Sequence, residues 1–141
     1  MAKDNLSISV IIATLNRSEL LKDTLDSLTR QSRQPDEVIV VDNGSTDKTR
    51  EVVSSFNNRL KIKYVFEEVR GIPYARNTGV RNATGDIIAS IDDDCVADED
   101  WLKYIEIPFI RDPNIGIVGG ELYNLEKSGS ILEEFHKRCM S

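Results

Sequence analysis

The sequence predicts an α/β fold, a three-layer sandwich with a mainly parallel central sheet, and three observations carry that expectation. Strand-like and helix-like segments alternate along all 141 residues. The strand candidates are continuous apolar runs such as Val10-Ile11-Ile12 and Val38-Ile39-Val40-Val41, which suit strands covered on both faces. Between them lie segments whose apolar residues recur every three or four positions, the signature of helices with one buried stripe. Right-handed crossovers then join successive parallel strands.

The first strand is expected from Ser7 to Thr14. Asn16 is placed to cap the next helix, with Glu19 three residues on completing a capping box. Leu21, Leu25 and Leu28 form that helix's stripe, and Pro35 closes the connection. A second strand, Val38 to Val41, runs into Asp42 and the loop Asn43-Gly44-Ser45-Thr46-Asp47. Ser45 is the expected cap of a second helix whose apolar positions are Val52, Val53 and Phe56. Ile62 to Phe66 reads as a third strand. A third helix starts near Pro73, where a missing N–H costs nothing, and runs to about Asn82.

Gly85-Asp86 opens the next strand, Ile87 to Ile91, expected to be buried and ending in Asp92-Asp93-Asp94. Asp98, Glu99 and Asp100 favour the start of a fourth helix, with Trp101, Leu102 and Ile105 inward. Ile115 to Gly119 is expected as a short fifth strand, and Ile131, Leu132, Phe135 and Cys139 as one face of a last helix.

Parallel connectivity brings Thr14, Asp42 and the three aspartates to one edge of the sheet, the carboxyl edge at which α/β sheets bind ligands. Three adjacent carboxylates repel one another, and a divalent cation offsets that repulsion and carries a phosphate. An acidic run alone usually marks a solvated turn; the convergence of separate strand ends favours a site. Other readings of the motif fit less well. A calcium-binding EF-hand loop starting at Asp92 requires glycine at its sixth position and glutamate at its twelfth, where the chain has Ala97 and Lys103. A dinucleotide site needs glycines after the first strand, and Thr14-Leu15-Asn16-Arg17 has none. A phosphoacceptor receiver domain groups strand-end aspartates around magnesium, but it sets an acidic pair after the first strand, where Ala13-Thr14 stand.

Composition limits the partners. With 24 acidic against 18 basic residues, no dominant nucleic-acid surface is expected. Cys95, Cys139 and His136 do not make a zinc signature, and both thiols are expected to be reduced and structural. Reduced thiols fit the expected cytoplasmic setting; with no signal peptide and no membrane-span-length apolar stretch evident, the chain itself is expected to be soluble, peripheral to the membrane in a longer protein.

Four stretches taken together resemble the family 2 glycosyltransferases of the GT-A fold: Ser9 to Arg17, Val40 to Asp47, Ala75-Arg76-Asn77-Thr78-Gly79, and Asp92-Asp93-Asp94. The resemblance spans about Ser7 to Tyr123. It implies a Rossmann-like nucleotide-diphospho-sugar transferase that moves a sugar from a nucleotide-diphosphate donor, most often a UDP-sugar, to a saccharide or lipid-linked hydroxyl, with inversion. Cell-envelope polysaccharide synthesis is the implied setting. It further implies that Asp94 of the DXD motif ligates Mg²⁺ or Mn²⁺, that Asp93 reaches the ribose and that Asp92 supports both. Asp42 then accepts from the base, Thr14, Leu15 and Asn16 line the base pocket, and Arg76 and Asn77 lie near the nucleotide.

Departures from the family pattern are Ala13 for proline, Leu15 for an aromatic residue and Asn43 for a second aspartate. The resemblance also implies that the acceptor site and the general base lie beyond Ser141. Residues 1–141 are therefore expected to be a single nucleotide-sugar-binding domain from a truncated transferase, with Glu121 the only internal candidate for the base. A noncatalytic nucleotide- or metal-binding module and a receiver domain are the alternatives.

Overall fold

The structure, a computed structural model, describes residues 5–123. Four strands, β1 (Ile8–Thr14), β2 (Glu37–Asp42), β3 (Ile62–Phe66) and β4 (Ile87–Ser90), alternate with four helices, α1 (Ser18–Thr29), α2 (Thr49–Ser54), α3 (Ile72–Asn82) and α4 (Trp101–Arg111). The sheet order is β3-β2-β1-β4, and every neighbouring pair is parallel.

Side chains alternate across the sheet, so each strand feeds two cores. On one face Ile8, Val10, Ile12, Val38, Val40, Ile87 and Ala89 join Leu21, Leu25 and Leu28 of α1, Val53 of α2 and Leu102 of α4. On the other, Ile11, Ile39 and Val41 meet Ala75 of α3. This is the expected three-layer arrangement. Gly79 permits it on the α3 side, since a Cβ there would lie 3.2 Å from Cβ of Ile11.

Several local expectations are corrected. Asn16 does not cap α1: its φ of 52° lies in the left-handed region, whereas a capping residue needs extended backbone. Arg17 stands at that position and makes no side-chain cap. Ser45 does not cap α2, which begins four residues later at Thr49. Asp47 serves both helices instead, its carboxylate accepting from Ser18 N at 3.0 Å and from Thr49 N at 3.0 Å.

Strand β4 is half-buried rather than buried. Ile88 and Ser90 are exposed, because among the described residues β4 has one strand neighbour and one covered face. The fifth strand is absent among the described residues. Residues 115–119 form no ladder and Ile117 is 90% exposed; two glycines in five residues leave little to pack. A groove of about 210 Å³ separates residues 116–120 from β4 and α4. The expected last helix, with Ile131, Leu132, Phe135 and Cys139, lies outside the described residues, as does Ser141, the position past which the general base is expected.

Candidate functional site

Register places the site. Thr14 and Asp42 are direct partners at the ends of β1 and β2, and Ile11 pairs with Ser90. Continuing that β1–β4 register by three residues sets Asp93 beside Thr14. The Thr14 hydroxyl donates to Asp93 Oδ2 at 2.8 Å, and both side chains are buried. The segment beyond the aspartates is fastened to the end of α1: Ser27 Oγ accepts from Ala97 N at 3.0 Å, and Gln31 Oε1 from Leu102 N at 3.0 Å. Both ends of the acidic loop are thus tied to rigid elements.

Within the loop the three carboxylates differ. Asp93 points inward, whereas Asp92 and Asp94 have side chains 56% and 47% exposed. Arg76 of α3 donates to Asp92 Oδ1 at 2.8 Å. Arg17 Nη1 lies 3.3 Å from both Asp93 Oδ1 and Asp94 Oδ2. Ligand atoms of Asp92, Asp94 and Cys95 all lie within 4.8 Å of one another. Carboxylate oxygens suit Mg²⁺ and Mn²⁺, and an exposed pair within a few ångströms fits such an ion. Burial pushes the Cys95 thiol up, and Asp94 and Asp92 add to it, so the sulfur keeps its proton and is a poor partner for a hard ion.

Asp42 is the second fixed point. Its Oδ1 accepts from Gly44 N at 3.2 Å and Ser45 N at 2.8 Å, an Asx-type turn. Its Oδ2 accepts from the Tyr64 hydroxyl at 2.6 Å. Burial, reinforced by this bond, pushes Tyr64 up to about 12. Asn16 joins the two loops: its N–H donates to Ser45 Oγ at 2.8 Å and its side-chain carbonyl accepts from Thr46 N at 2.7 Å. Asn43 reaches the other way, donating to Glu67 O and Val69 O at 2.9 Å each and accepting from Gly71 N at 2.8 Å. Gly44, with φ of 101°, lies beneath the Arg70 guanidinium.

Thr14, Asp42, Asn16, Arg76 and the three aspartates therefore share one edge of the sheet. Leu15 is half-buried beside them, and Asn77 is exposed on α3 next to Arg76. Glu121 is exposed in coil, its carboxylate accepting from the Tyr123 hydroxyl; none of its described bonds reaches the aspartates. Cys95 belongs to the cluster rather than to the core. Arg17 and Tyr64 were not foreseen. Arg17 closes the Ser9 to Arg17 stretch and was legible there as a cation, whereas nothing in the sequence tied Tyr64 to Asp42.

Known proteins resemble this chain in sequence and in fold. The Glycosyl transferase family 2 profile matches residues 9–132. Validoxylamine A glucosyltransferase of Streptomyces hygroscopicus subsp. limoneus is 44% identical over 102 residues, covering 70% of this chain and 22% of that protein. The mannosyltransferase PcManGT from Pyrobaculum calidifontis, solved with GDP-Man and Mn²⁺, superposes with a TM-score of 0.72 at 32% identity, covering 82% of this chain and 35% of that one. S. aureus TarS 1-349 in complex with UDP gives 0.71 at 27% identity, covering 84% and 38%. The chain thus spans well under half the length of each relative. The fold is that of GT-A, Rossmann-like transferases, and the receiver-domain alternative falls. From Ser9 onward, through the strand-end loops and the acidic turn, this chain belongs to glycosyl transferase family 2.

Proposed function

We propose that the chain is the donor-binding part of an inverting, divalent-metal-dependent glycosyltransferase that moves a sugar from a UDP-sugar to a saccharide or lipid-linked hydroxyl. The observation that carries this reading is the pair of exposed carboxylates, Asp92 and Asp94, on the edge that also holds Asp42. Asp42 presents a buried acceptor suited to the N–H of a base, with Thr14, Leu15 and Asn16 around it. Asp94, with Asp92 beside it, would hold Mg²⁺ or Mn²⁺; a bound ion offsets the charge that gathers on a departing diphosphate. Arg76 adds a cation for the nucleotide, with Asn77 next to it. Asp93 holds the loop through Thr14 and Arg17 and keeps further lone pairs with which to reach a ribose hydroxyl.

The general base and the acceptor site are assigned to protein beyond Ser141, a reading supported by the chain's small share of its relatives' length. Among the described residues no helix is long and apolar enough to cross a membrane.

Calorimetric titration with UDP, with and without Mn²⁺, tests the donor site; GDP serves as the competing base. Binding that needs Mn²⁺, favours UDP and is lost in Asp94→Ala is expected. Metal-independent binding, or none, would sink the proposal. Efficient sugar transfer by the chain alone would overturn the assignment of the base and return attention to Glu121.

A further inference from the structure

One nitrogen of Arg17 serves two carboxylates that are not equivalent. Asp93, its side chain 8% exposed, is also held by the Thr14 hydroxyl, whereas Asp94 is 47% exposed and has only a long contact from Cys95 Sγ, at 3.8 Å, besides Arg17. The Arg17 side chain is itself 51% exposed, although its backbone is fixed at the start of α1, where its carbonyl accepts from Leu21 N at 2.9 Å. The guanidinium is therefore free to swing while its root stays in place. We propose that Arg17 is a positioning residue, the built-in counter-cation of the acidic loop, which competes with a divalent ion for Asp94 and yields when a diphosphate offers it other oxygens. This inference rests on the donor-site reading above.

The electrostatics dictate the competition. A dication on Asp94 would lie a few ångströms from the guanidinium, and like charges at that separation repel even in a wet site. Arg17 must then turn away, and exposure lets it do so at low cost. A diphosphate beside the ion gives the displaced guanidinium a planar, charge-assisted contact that water replaces poorly. Metal alone thus binds against Arg17, and metal with diphosphate binds alongside it. Because linkage is reciprocal, the nucleotide gains the same factor from the metal. Arg76 acts on the neighbouring carboxylate, Asp92, and the Arg17 variants leave that pair in place, so they read the Asp94 side alone.

The experiment measures Mn²⁺ affinity by electron paramagnetic resonance of the free ion, without and with UDP, for the native chain, Arg17→Gln and Arg17→Lys. Removal of one exposed ion-paired charge sets the scale: Arg17→Gln should bind Mn²⁺ alone about threefold to tenfold more tightly. The factor by which UDP improves Mn²⁺ binding should shrink by a similar amount. Arg17→Lys keeps the charge and should stay within about twofold of native for Mn²⁺ alone. Unchanged or weaker Mn²⁺ binding by Arg17→Gln, in a native chain that does couple Mn²⁺ to UDP, overturns the role of Arg17 alone. A native chain that shows no such coupling overturns the donor-site reading, and this inference with it.

Discussion

The Thr14 hydroxyl donates to the buried carboxylate of Asp93 at 2.8 Å, so the last residue of β1 holds the middle of the acidic loop. That bond explains why three adjacent carboxylates present only two to solvent. It also predicts an asymmetry between two conservative changes. Thr14→Val keeps the shape and removes the donor, leaving a buried carboxylate short of a partner, at a cost of about 1.5–3 kcal/mol. Thr14→Ser keeps the hydroxyl and should cost under about 1 kcal/mol. Urea denaturation of both variants checks the order; equal losses would mean that the methyl group, not the bond, matters.

Asn43 needs its amide. It donates to two carbonyls of the β3–α3 loop and accepts from Gly71 N, a pattern no carboxylate can reproduce. Asn43→Asp would set a negative charge against Glu67 O and Val69 O. Its destabilisation should be about 2–3 kcal/mol and exceed that of Asn43→Ala, which removes the contacts without adding repulsion. An Asp variant more stable than the Ala variant would refute the clamp.

Asp47 joins the two helix starts and gives the chain an acid limb. Burial pulls its carboxyl upward, and bonds from the Thr49 hydroxyl and the Ser18 and Thr49 N–H groups outweigh it, holding the group below its ordinary 3.8. Asp36, exposed, is raised by its partial desolvation but lowered on balance by bonds from Ile8 N–H and Arg33. A depressed folded value means stability that is present above 3.8 and lost as pH falls through the folded value. Asp47→Ala should cost about 1 kcal/mol at neutral pH and lose less than the native chain on acidification. Thermal melts across that range measure both effects.

The legible parts of the molecule were those set by periodicity. Continuous apolar runs marked β1 and β2, because burial of a parallel sheet leaves a plain trace in composition; Ile62 to Phe66 appeared with the expected bounds although β3, at the sheet edge, has no buried residue. Parallel topology then made the meeting of Thr14, Asp42 and Asp93 predictable before any side chain was placed. What stayed illegible was contact between loops. Asn16 and Ser45 both looked like helix caps, since short polar side chains at such positions usually are; they bind each other instead, because Asp47 holds the start of α2 locally and that of α1 from a distance in sequence. Residues 115–119 read as a strand from apolar content, yet ladder formation depends on a neighbour that local sequence does not show.

Tyr64 supplies a test at the opposite end of the pH scale. Its hydroxyl donates to Asp42 Oδ2 at 2.6 Å. Burial, the bond and the Asp42 charge push it up to about 12, against a partial pull from Arg50, whose guanidinium carbon lies 5.2 Å from the ring centroid. A raised folded value means stability that is fully present below the ordinary 10 and lost as pH climbs toward about 12. Tyr64→Phe removes that loss together with the donor. The variant should be about 1.5–3 kcal/mol less stable near neutrality, and the gap should narrow across the alkaline window. Tyrosinate absorbance, recorded on native and variant chains, should show one late-titrating tyrosine that the variant lacks. A Phe variant with native stability at neutral pH would mean that Gly44 and Ser45 alone suffice to hold Asp42.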